Sequence, residues 1–252
     1  MPRLFLILLA AVALVGCEGP SGSSTGGPPR FAREPQDRPG LGTRWGEDRS
    51  SRVEDIGFER ADATRPFATA AIFYNDAAGI RAMRAAASHE RIWLPLSANG
   101  GHDSARFGLK DEHNRFLPGV ESGGRWFVVG EAGQRYTIAL KNNSSARIEA
   151  VFSVDGLDVI DGGKASLRKR GYLVLPHQEL QVEGFRQSHD KVAAFRFSPV
   201  RESYANEKYH NTRNVGVVGV ALFDERESSN PRLEEEARRR LNAEPFQIPV
   251  RR

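Results

Sequence analysis

The sequence predicts a mainly β protein, an antiparallel β-sandwich with a less regular α/β region before it and a short helix after it. Apolar and polar residues alternate with period two in Tyr136–Lys141 and Ile148–Val154. Glycine- and asparagine-containing turns separate such runs at short intervals, as in antiparallel sheets. Val215–Phe223 is almost wholly apolar, which is typical of a central strand. We therefore expect an immunoglobulin-like or jelly-roll-like sandwich over residues 131–226.

Three further strands are predicted within this domain. They are Gly171–Leu175, Glu179–Val182 and Lys191–Phe197. Residues 53–130 show a weaker pattern, and there we expect an irregular region with short strands and one helix. Its predicted strands are Ala70–Tyr74, Arg91–Leu94, Ala105–Leu109 and Arg125–Val129. The helix is predicted over Ala77–Ser88, with Asn75 or Asp76 as its N-cap.

A second helix is predicted at the C-terminal side of the sandwich, over residues 230–242. Asn230 can cap this helix, and Pro231 suits its first turn. Glu234–Glu236 lie four positions before Arg238–Arg240, and acidic residues that precede basic ones at this spacing stabilise a helix.

The first 16 residues have the pattern of a secretory signal peptide. Met1–Arg3 is a short positive start, and Leu4–Val15 is an apolar run without a charge. This run of about a dozen residues is too short to cross a hydrocarbon core of about 30 Å. The pattern therefore predicts export.

Leu14-Val-Gly-Cys17 resembles the bacterial lipobox, in which the cysteine is acylated and becomes the first residue of the mature chain. Cys17 is the single cysteine of the chain, and an unpaired thiol is unusual in an exported protein. Several acyl chains together give stable attachment to a bilayer. Glu18 stands where inner-membrane lipoproteins carry aspartate, so we expect an outer-membrane location, on the periplasmic or surface face.

Residues 17–52 are rich in Gly, Pro, Ser and Arg, so they are predicted to form a flexible tether. The chain has a formal net charge of +4. Export and the absence of a long Lys/Arg block argue against a nucleic-acid partner. The expected partners are the lipid bilayer, through acylated Cys17, and another envelope protein or a glycan. No cofactor is predicted.

Three aspartates, Asp155, Asp158 and Asp161, follow one another at intervals of three residues. An EF-hand loop needs acidic ligands at positions 1, 3 and 5 and a glutamate at position 12, which this stretch lacks. Asp155 and Asp161 are each followed by glycine, a strong turn signal. Two turns around a short strand, Leu157–Ile160, are the favoured interpretation, and a cation or sugar site is the alternative.

Tyr172, Arg186 and Ser188 are candidate ligand-binding residues, because aromatic and arginine side chains are enriched in binding hot spots. A structural role is the competing interpretation. In that case Phe185 lies in the core and Arg186 pairs with a turn carboxylate such as Asp161.

His102, Asp111 and His113 could hold a divalent cation, since imidazole and carboxylate suit zinc or manganese. Solvated loop residues are the favoured interpretation, because the H-E-x-x-H motif is absent. The sequence contains no recognisable catalytic constellation. We therefore expect a non-catalytic binding module. The alternative is a metal-dependent or carbohydrate-active domain that uses the Asp155 and Asp161 turns or the His102/His113 cluster.

Several short motifs follow one another in residues 131–226, namely Gly133–Tyr136, Ser153–Gly162, Gly171–Tyr172, Gly184–Arg186, Ser188, Val192–Phe195, Ser203–Ala205 and Asn214–Phe223. Together they resemble a family of bacterial envelope lipoproteins that has no assigned activity. The resemblance implies a small β-sandwich attached to an export signal, and it implies no reaction or ligand.

Overall fold

The computed structural model describes residues 37–83, 90–97, 103–226, 236 and 238–240. Two β-sheets pack against each other, which confirms the predicted mainly β sandwich. The strands are β1 (Leu41–Ser50), β2 (Ala68–Asn75), β3 (Glu90–Arg91), β4 (Leu94–Ser97), β5 (Asp103–Asp111), β6 (Pro118–Ser122), β7 (Arg125–Val129), β8 (Arg135–Asn142), β9 (Ile148–Val154), β10 (Leu157–Asp158), β11 (Tyr172–Val174), β12 (Glu179–Val182), β13 (Gly184–Arg186), β14 (Lys191–Pro199) and β15 (Val217–Asp224). The helices are α1 (Ala77–Ala82) and α2 (Tyr204–Tyr209), with a 3-10 turn at Val200–Glu202.

Sheet I has the order β1-β14-β8-β5-β4, with β12 paired to β8 and β13 paired to β14. Sheet II has the order β10-β9-β15-β2-β7-β6-β3, and β11 also pairs with β9. Among the described pairings, β2 with β7 is parallel and the others are antiparallel.

The core lies between the two sheets and is rich in aromatic residues. Its largest buried side chains include Tyr74, Tyr136, Phe107, Phe152, Phe195 and Phe197. Strand β15 lies between β9 and β2, as its apolar sequence predicts. Val218 and Val220 face the core, whereas Phe223 joins Ala221 in a separate buried cluster. Because both faces of β15 are covered, its sequence is apolar without alternation.

The predicted tether over residues 17–52 is wrong at its C-terminal end. Strand β1 pairs with β14 from Leu41 opposite Pro199 to Ser50 opposite Lys191. Only the first three residues of β1 are buried, so its composition resembles that of a linker. Its backbone hydrogen bonds are made to a strand about 150 residues further along the chain, which composition cannot reveal. Residues 17–36 lie outside the described residues.

The predicted boundary near residue 130 is also wrong, because β2 and β5 pair with β15 and β8 of the predicted sandwich. Helix α1 begins where predicted, and the Asp76 side chain accepts a hydrogen bond from the Gly79 N–H at 2.6 Å. It ends at Ala82, and residues 84–89 lie outside the described part of the chain. Strand β6 and helix α2 were not predicted.

The predictions for the chain termini lie largely outside the described residues. These are the signal peptide 1–16, Cys17 and most of the helix at 230–242. Residues 236 and 238–240 are helical, and Arg240 Nε donates to Glu236 Oε1 at 2.9 Å. None of the helices in the described part of the chain has the length and hydrophobicity of a bilayer-spanning segment.

Candidate functional site

Asp155 and Gly156 form the two-residue turn that joins β9 to β10. Both have a positive φ, 55° and 79°, and Val154 pairs with Leu157. Positive φ at both central residues defines a type I′ turn, which confirms the prediction from the Asp-Gly pair. Asp155 nevertheless has only 4% of its surface exposed. The turn therefore carries a carboxylate into the sandwich interior.

The Asp155 carboxylate joins three separate segments of the fold. Its Oδ1 accepts hydrogen bonds from Tyr74 Oη at 2.5 Å and from the Gly216 N–H at 2.9 Å. Its Oδ2 accepts from the Thr43 N–H at 2.8 Å. The Thr43 Oγ1 in turn lies 2.8 Å from Tyr136 Oη. Because three protein donors already surround this carboxylate, it is a structural connection and not an open cation ligand.

Burial sets the acidity of this network. It raises the pKa of Asp155 to about 6, and hydrogen bonds from Tyr74 and backbone N–H groups partly oppose that rise. It also raises the pKa of Tyr74 and Tyr136 well above the usual value, and the nearby Asp155 charge acts in the same direction. Both phenols therefore stay protonated and can donate.

Asp158 and Asp161 hold the next turn and share no partner with Asp155. Asp158 Oδ1 accepts from the N–H groups of Ile160 and Asp161 at 3.0 and 3.1 Å, and burial raises its pKa. Asp161 is exposed and accepts from Lys169 Nζ at 2.6 Å. Burial favours a higher pKa for Asp161, but Lys169 and backbone donors lower it overall. The three aspartates thus form two turns, as the favoured interpretation predicted. The predicted strand Leu157–Ile160 is shortened to Leu157–Asp158, because Val159 and Ile160 belong to the second turn.

Asp111 serves the loop between β5 and β6. Its Oδ1 accepts from the N–H groups of His113 and Arg115, and its Oδ2 accepts from Arg115 Nε, each at 2.9 Å. His113 is exposed, and His102 lies outside the described residues. Within 37–83, 90–97 and 103–226, no three His, Cys, Asp or Glu side chains are grouped as a metal site requires. The Asp111 carboxylate therefore stabilises its own loop through these three hydrogen bonds.

Tyr172, Arg186 and Ser188 do come together, in a groove with a volume of about 550 Å³ that we call the Arg186 groove. It includes the edge strand β11, the turn after β13 and the segment 53–58. Most of its walls are apolar, formed by Val53, Ile56, Phe58, Ile160, Leu173 and Leu180. Ile56 is 54% exposed, so the groove offers an accessible apolar surface.

Arg186 is half-buried in this groove and is held by neutral groups. Its Nε donates to Tyr172 Oη at 3.1 Å, and its Nη1 donates to the carbonyls of Ser51 and Ser188 at 2.8 and 3.1 Å. Its Nη2 donates to Ser51 Oγ at 3.1 Å. The suggested pairing with Asp161 is wrong, because Asp161 bonds to Lys169. Phe185 is 1% exposed and lies in the core, as that interpretation predicted.

The positive charge of Arg186 therefore has no carboxylate partner among the described residues. Arg170, a second cation of the groove, is exposed, and its side chain makes no hydrogen bond within the described part of the chain. Glu149 also lines the groove, but it accepts from Arg60 Nε and the Gly171 N–H. Glu54 and Asp55 are exposed and are bonded to neither arginine. The groove thus combines apolar walls with a guanidinium that forms no ion pair with the described residues, and Glu54, Asp55 and Glu149 line the same groove.

Sequence reasoning missed the segment 53–58 and Arg170. The available signal was the apolar trio Val53, Ile56 and Phe58 in a stretch with no strand or helix period. Apolar side chains in a segment without strand or helix indicate that the segment packs on another part of the protein or forms an exposed apolar patch.

No family model, curated protein or solved structure matches the chain. The resemblance to envelope lipoproteins stays a prediction.

Proposed function

We propose that this chain is an exported, lipid-anchored protein of the bacterial envelope and a binding module without catalysis of its own. Its ligand site is the Arg186 groove, and its ligand has an apolar body and one acidic group. The observation that carries this proposal is the half-buried Arg186 guanidinium, which lies in an apolar groove without a carboxylate partner among the described residues.

The Arg186 guanidinium, which forms no ion pair with the described residues, favours an acidic group on the ligand. A partly buried cation without a counterion is costly, and a ligand carboxylate would offset that cost. Four hydrogen bonds occupy four of the five N–H groups of Arg186, which leaves one Nη2 N–H for a ligand. Arg170 supplies a second cation at the groove. Charge-assisted hydrogen bonds of this kind are stronger than neutral ones.

The walls of the groove favour an aliphatic body. Apolar surface removed from water contributes about 25 cal/mol per Å². The groove volume of about 550 Å³ lies within the range of about 300–1,000 Å³ that small-molecule sites occupy. A long-chain carboxylate has both parts of this chemistry.

Binding without catalysis is supported by the surroundings of Ser188. Its Oγ accepts a hydrogen bond from the Asp190 N–H at 3.3 Å and has no imidazole partner among the described residues. A serine nucleophile needs an adjacent general base. Export and anchoring are supported by the Leu14–Cys17 motif and by the family resemblance.

Calorimetry of the purified chain with three amphiphiles of equal chain length tests the proposal. Dodecanoate is expected to bind, whereas dodecanol should bind roughly tenfold more weakly and dodecyltrimethylammonium should not bind, since only the first supplies an anion. Arg170→Glu should weaken dodecanoate binding. Arg168→Glu is the matched control, because Arg168 is exposed and lies outside the groove.

Equal binding of the three amphiphiles, or equal weakening by both charge reversals, would contradict the proposal. Binding of a short peptide that ends in a leucine carboxylate, without binding of dodecanoate, would instead assign the groove to a protein partner.

A further inference from the structure

A second cleft, lined by different residues, lies where the Asp155–Gly156 turn meets helix α2. It has a volume of about 500 Å³, and we call it the Tyr209 cleft. The residues that matter for its chemistry are Lys164, Tyr209, Asn211, Arg213 and Asn214. None of them lines the Arg186 groove, so the two sites can be tested separately.

The Tyr209 cleft contains two cations that the protein does not neutralise. The side chains of Lys164 and Arg213 are exposed, and neither makes a hydrogen bond or ion pair with the described residues. The carboxylate that lines the cleft belongs to Asp155, and both of its oxygens accept from protein donors. The cleft therefore carries an excess of positive charge.

Two carboxamides lie beside these cations. Asn211 Oδ1 accepts from the Arg213 N–H at 2.9 Å, which leaves its amino group free to donate. A Cβ on Gly156 would lie 2.7 Å from Asn214 Nδ2, so glycine is what allows the Asn214 amide to approach the turn. Carboxamides both donate and accept, which suits the hydroxyl groups of a sugar.

An aromatic surface borders the Tyr209 cleft. Tyr209 is 36% exposed, and its Oη donates to the Gly162 carbonyl at 3.4 Å. Lys208 Nζ lies 5.5 Å from the Tyr209 ring centroid and donates to the same carbonyl at 2.8 Å. The Tyr209 ring is thus held in place while part of it stays open. Tyrosine supplies a large, rigid contact area at low conformational cost.

Hydrogen bonds from Arg38 hold the loop that carries Asn211, Arg213 and Asn214. Arg38 Nη2 donates to the carbonyls of Thr212 and Val215 at 2.8 Å each. Because these positions are held before a ligand arrives, binding requires little further ordering.

We propose that the Tyr209 cleft is a binding site for an anionic glycan, in which sugar hydroxyls meet the carboxamides and an acidic group meets Lys164 and Arg213. The exposed tyrosine ring supports a sugar over a bare inorganic anion. The polar lining distinguishes this ligand from the amphiphile of the Arg186 groove.

Calorimetry of the full mature chain with oligogalacturonate, maltohexaose and inorganic phosphate tests the proposal. Oligogalacturonate should bind, and the neutral maltohexaose and free phosphate should bind at least roughly tenfold more weakly. The double variant Lys164→Gln, Arg213→Gln should lose roughly tenfold or more of the oligogalacturonate affinity and keep its affinity for dodecanoate. Tyr209→Leu should lower the affinity for oligogalacturonate, although Lys164 and Arg213 are retained.

The matched control is Arg168→Gln with Arg201→Gln, which removes two exposed positive charges outside the cleft. Thermal unfolding of each variant checks that the sandwich is intact. Equal losses in the two double variants would overturn the proposal, because they would indicate attraction to the overall charge. Phosphate binding as tight as that of oligogalacturonate would also overturn it, in favour of a simple anion site.

Discussion

Asp155 has two structural roles, one in a local turn and one in a buried hydrogen-bond network. With Gly156 it forms the turn that the Asp-Gly pair predicts, and the same side chain accepts hydrogen bonds from Thr43, Tyr74 and Gly216. The Thr43 partner lies 112 positions away in the sequence. The turn is a local property and could be predicted, whereas the buried network depends on pairing between distant strands and could not.

Replacing Asp155 by asparagine should change how stability depends on pH. The folded-state pKa of about 6 is raised above the usual 3.8, so Asp155 stabilises the fold most fully below about pH 4. That contribution is lost as pH rises through about 6, and it amounts to about 3 kcal/mol. An asparagine side chain does not titrate, so the stability of the parent chain relative to Asp155→Asn should fall between pH 4 and pH 7.

Urea unfolding at several pH values from 4 to 7 measures this difference. Asp161→Asn is the comparison variant, because the pKa of Asp161 is lowered and its contribution is lost as pH falls. A difference between the parent chain and Asp155→Asn that does not vary with pH would show that Asp155 stays ionised in the fold.

Arg186 shows how far a candidate site can be predicted from sequence. Tyr172 and Ser188 do accompany it in one groove, through the Tyr172 hydroxyl and the Ser188 carbonyl. The suggested Asp161 partner was wrong, because Lys169 lies eight residues from Asp161 and bonds to it directly. The sequence indicated side chains that lie together in one groove, but their hydrogen-bond partners depend on the path of the chain in three dimensions.

At the scale of elements, the segment between β1 and β2 is attached to sheet II by Arg60. The Arg60 guanidinium bonds to Glu149 of β9 and to the carbonyls of Leu167 and Lys169. It also lies 3.7 Å from the ring centroid of Phe223 in β15. The side chains of Arg60 and Glu149 are 11% and 9% exposed. One side chain therefore connects two neighbouring strands to the loop before β11.

Arg60→Met should destabilise the fold by about 3–5 kcal/mol, because it leaves the Glu149 carboxylate buried without its counterion. Arg65→Met removes an exposed pair with Asp62 and should cost less than about 1 kcal/mol. Combining Arg60→Met with Glu149→Gln should recover part of the loss, since no buried charge remains. Denaturant unfolding of the four chains measures these differences, and equal costs for Arg60→Met and Arg65→Met would contradict the assigned role.

At the scale of the whole molecule, one sandwich extends from β1 to β15, where the sequence suggested a tether, an irregular region and a smaller domain. The strands of residues 68–129 belong to the same two sheets as those of residues 135–224. The large core cluster includes ten residues from 68–129, namely Ile72, Tyr74, Ile92, Leu94, Leu96, Ala105, Phe107, Leu109, Leu117 and Val128. This region therefore contributes to the same core as the predicted sandwich domain, although its sequence pattern is weaker.

The proposed anchor makes a prediction about the location of the whole chain. The parent protein should partition with membranes, because several acyl chains on Cys17 hold it there, and Cys17→Ser should appear in the soluble exported fraction. Cell fractionation measures the partitioning, and mass spectrometry of the mature chain measures the acylation. A mature chain with a free Cys17 thiol, or one that begins at Met1, would contradict the anchor.

Local sequence was enough to specify the mainly β class, the positions of most strands after residue 131, the turn at Asp155–Gly156 and a cap of α1 at Asn75 or Asp76. These features depend on residues close together in the chain, through side-chain period, positive φ and local hydrogen bonds. Long-range packing alone decided that β1 joins sheet I, that Asp155 is buried, and that Arg170 and Ile56 share a groove with Arg186. Those outcomes depend on contacts between segments far apart in sequence, whose alignment no local pattern contains.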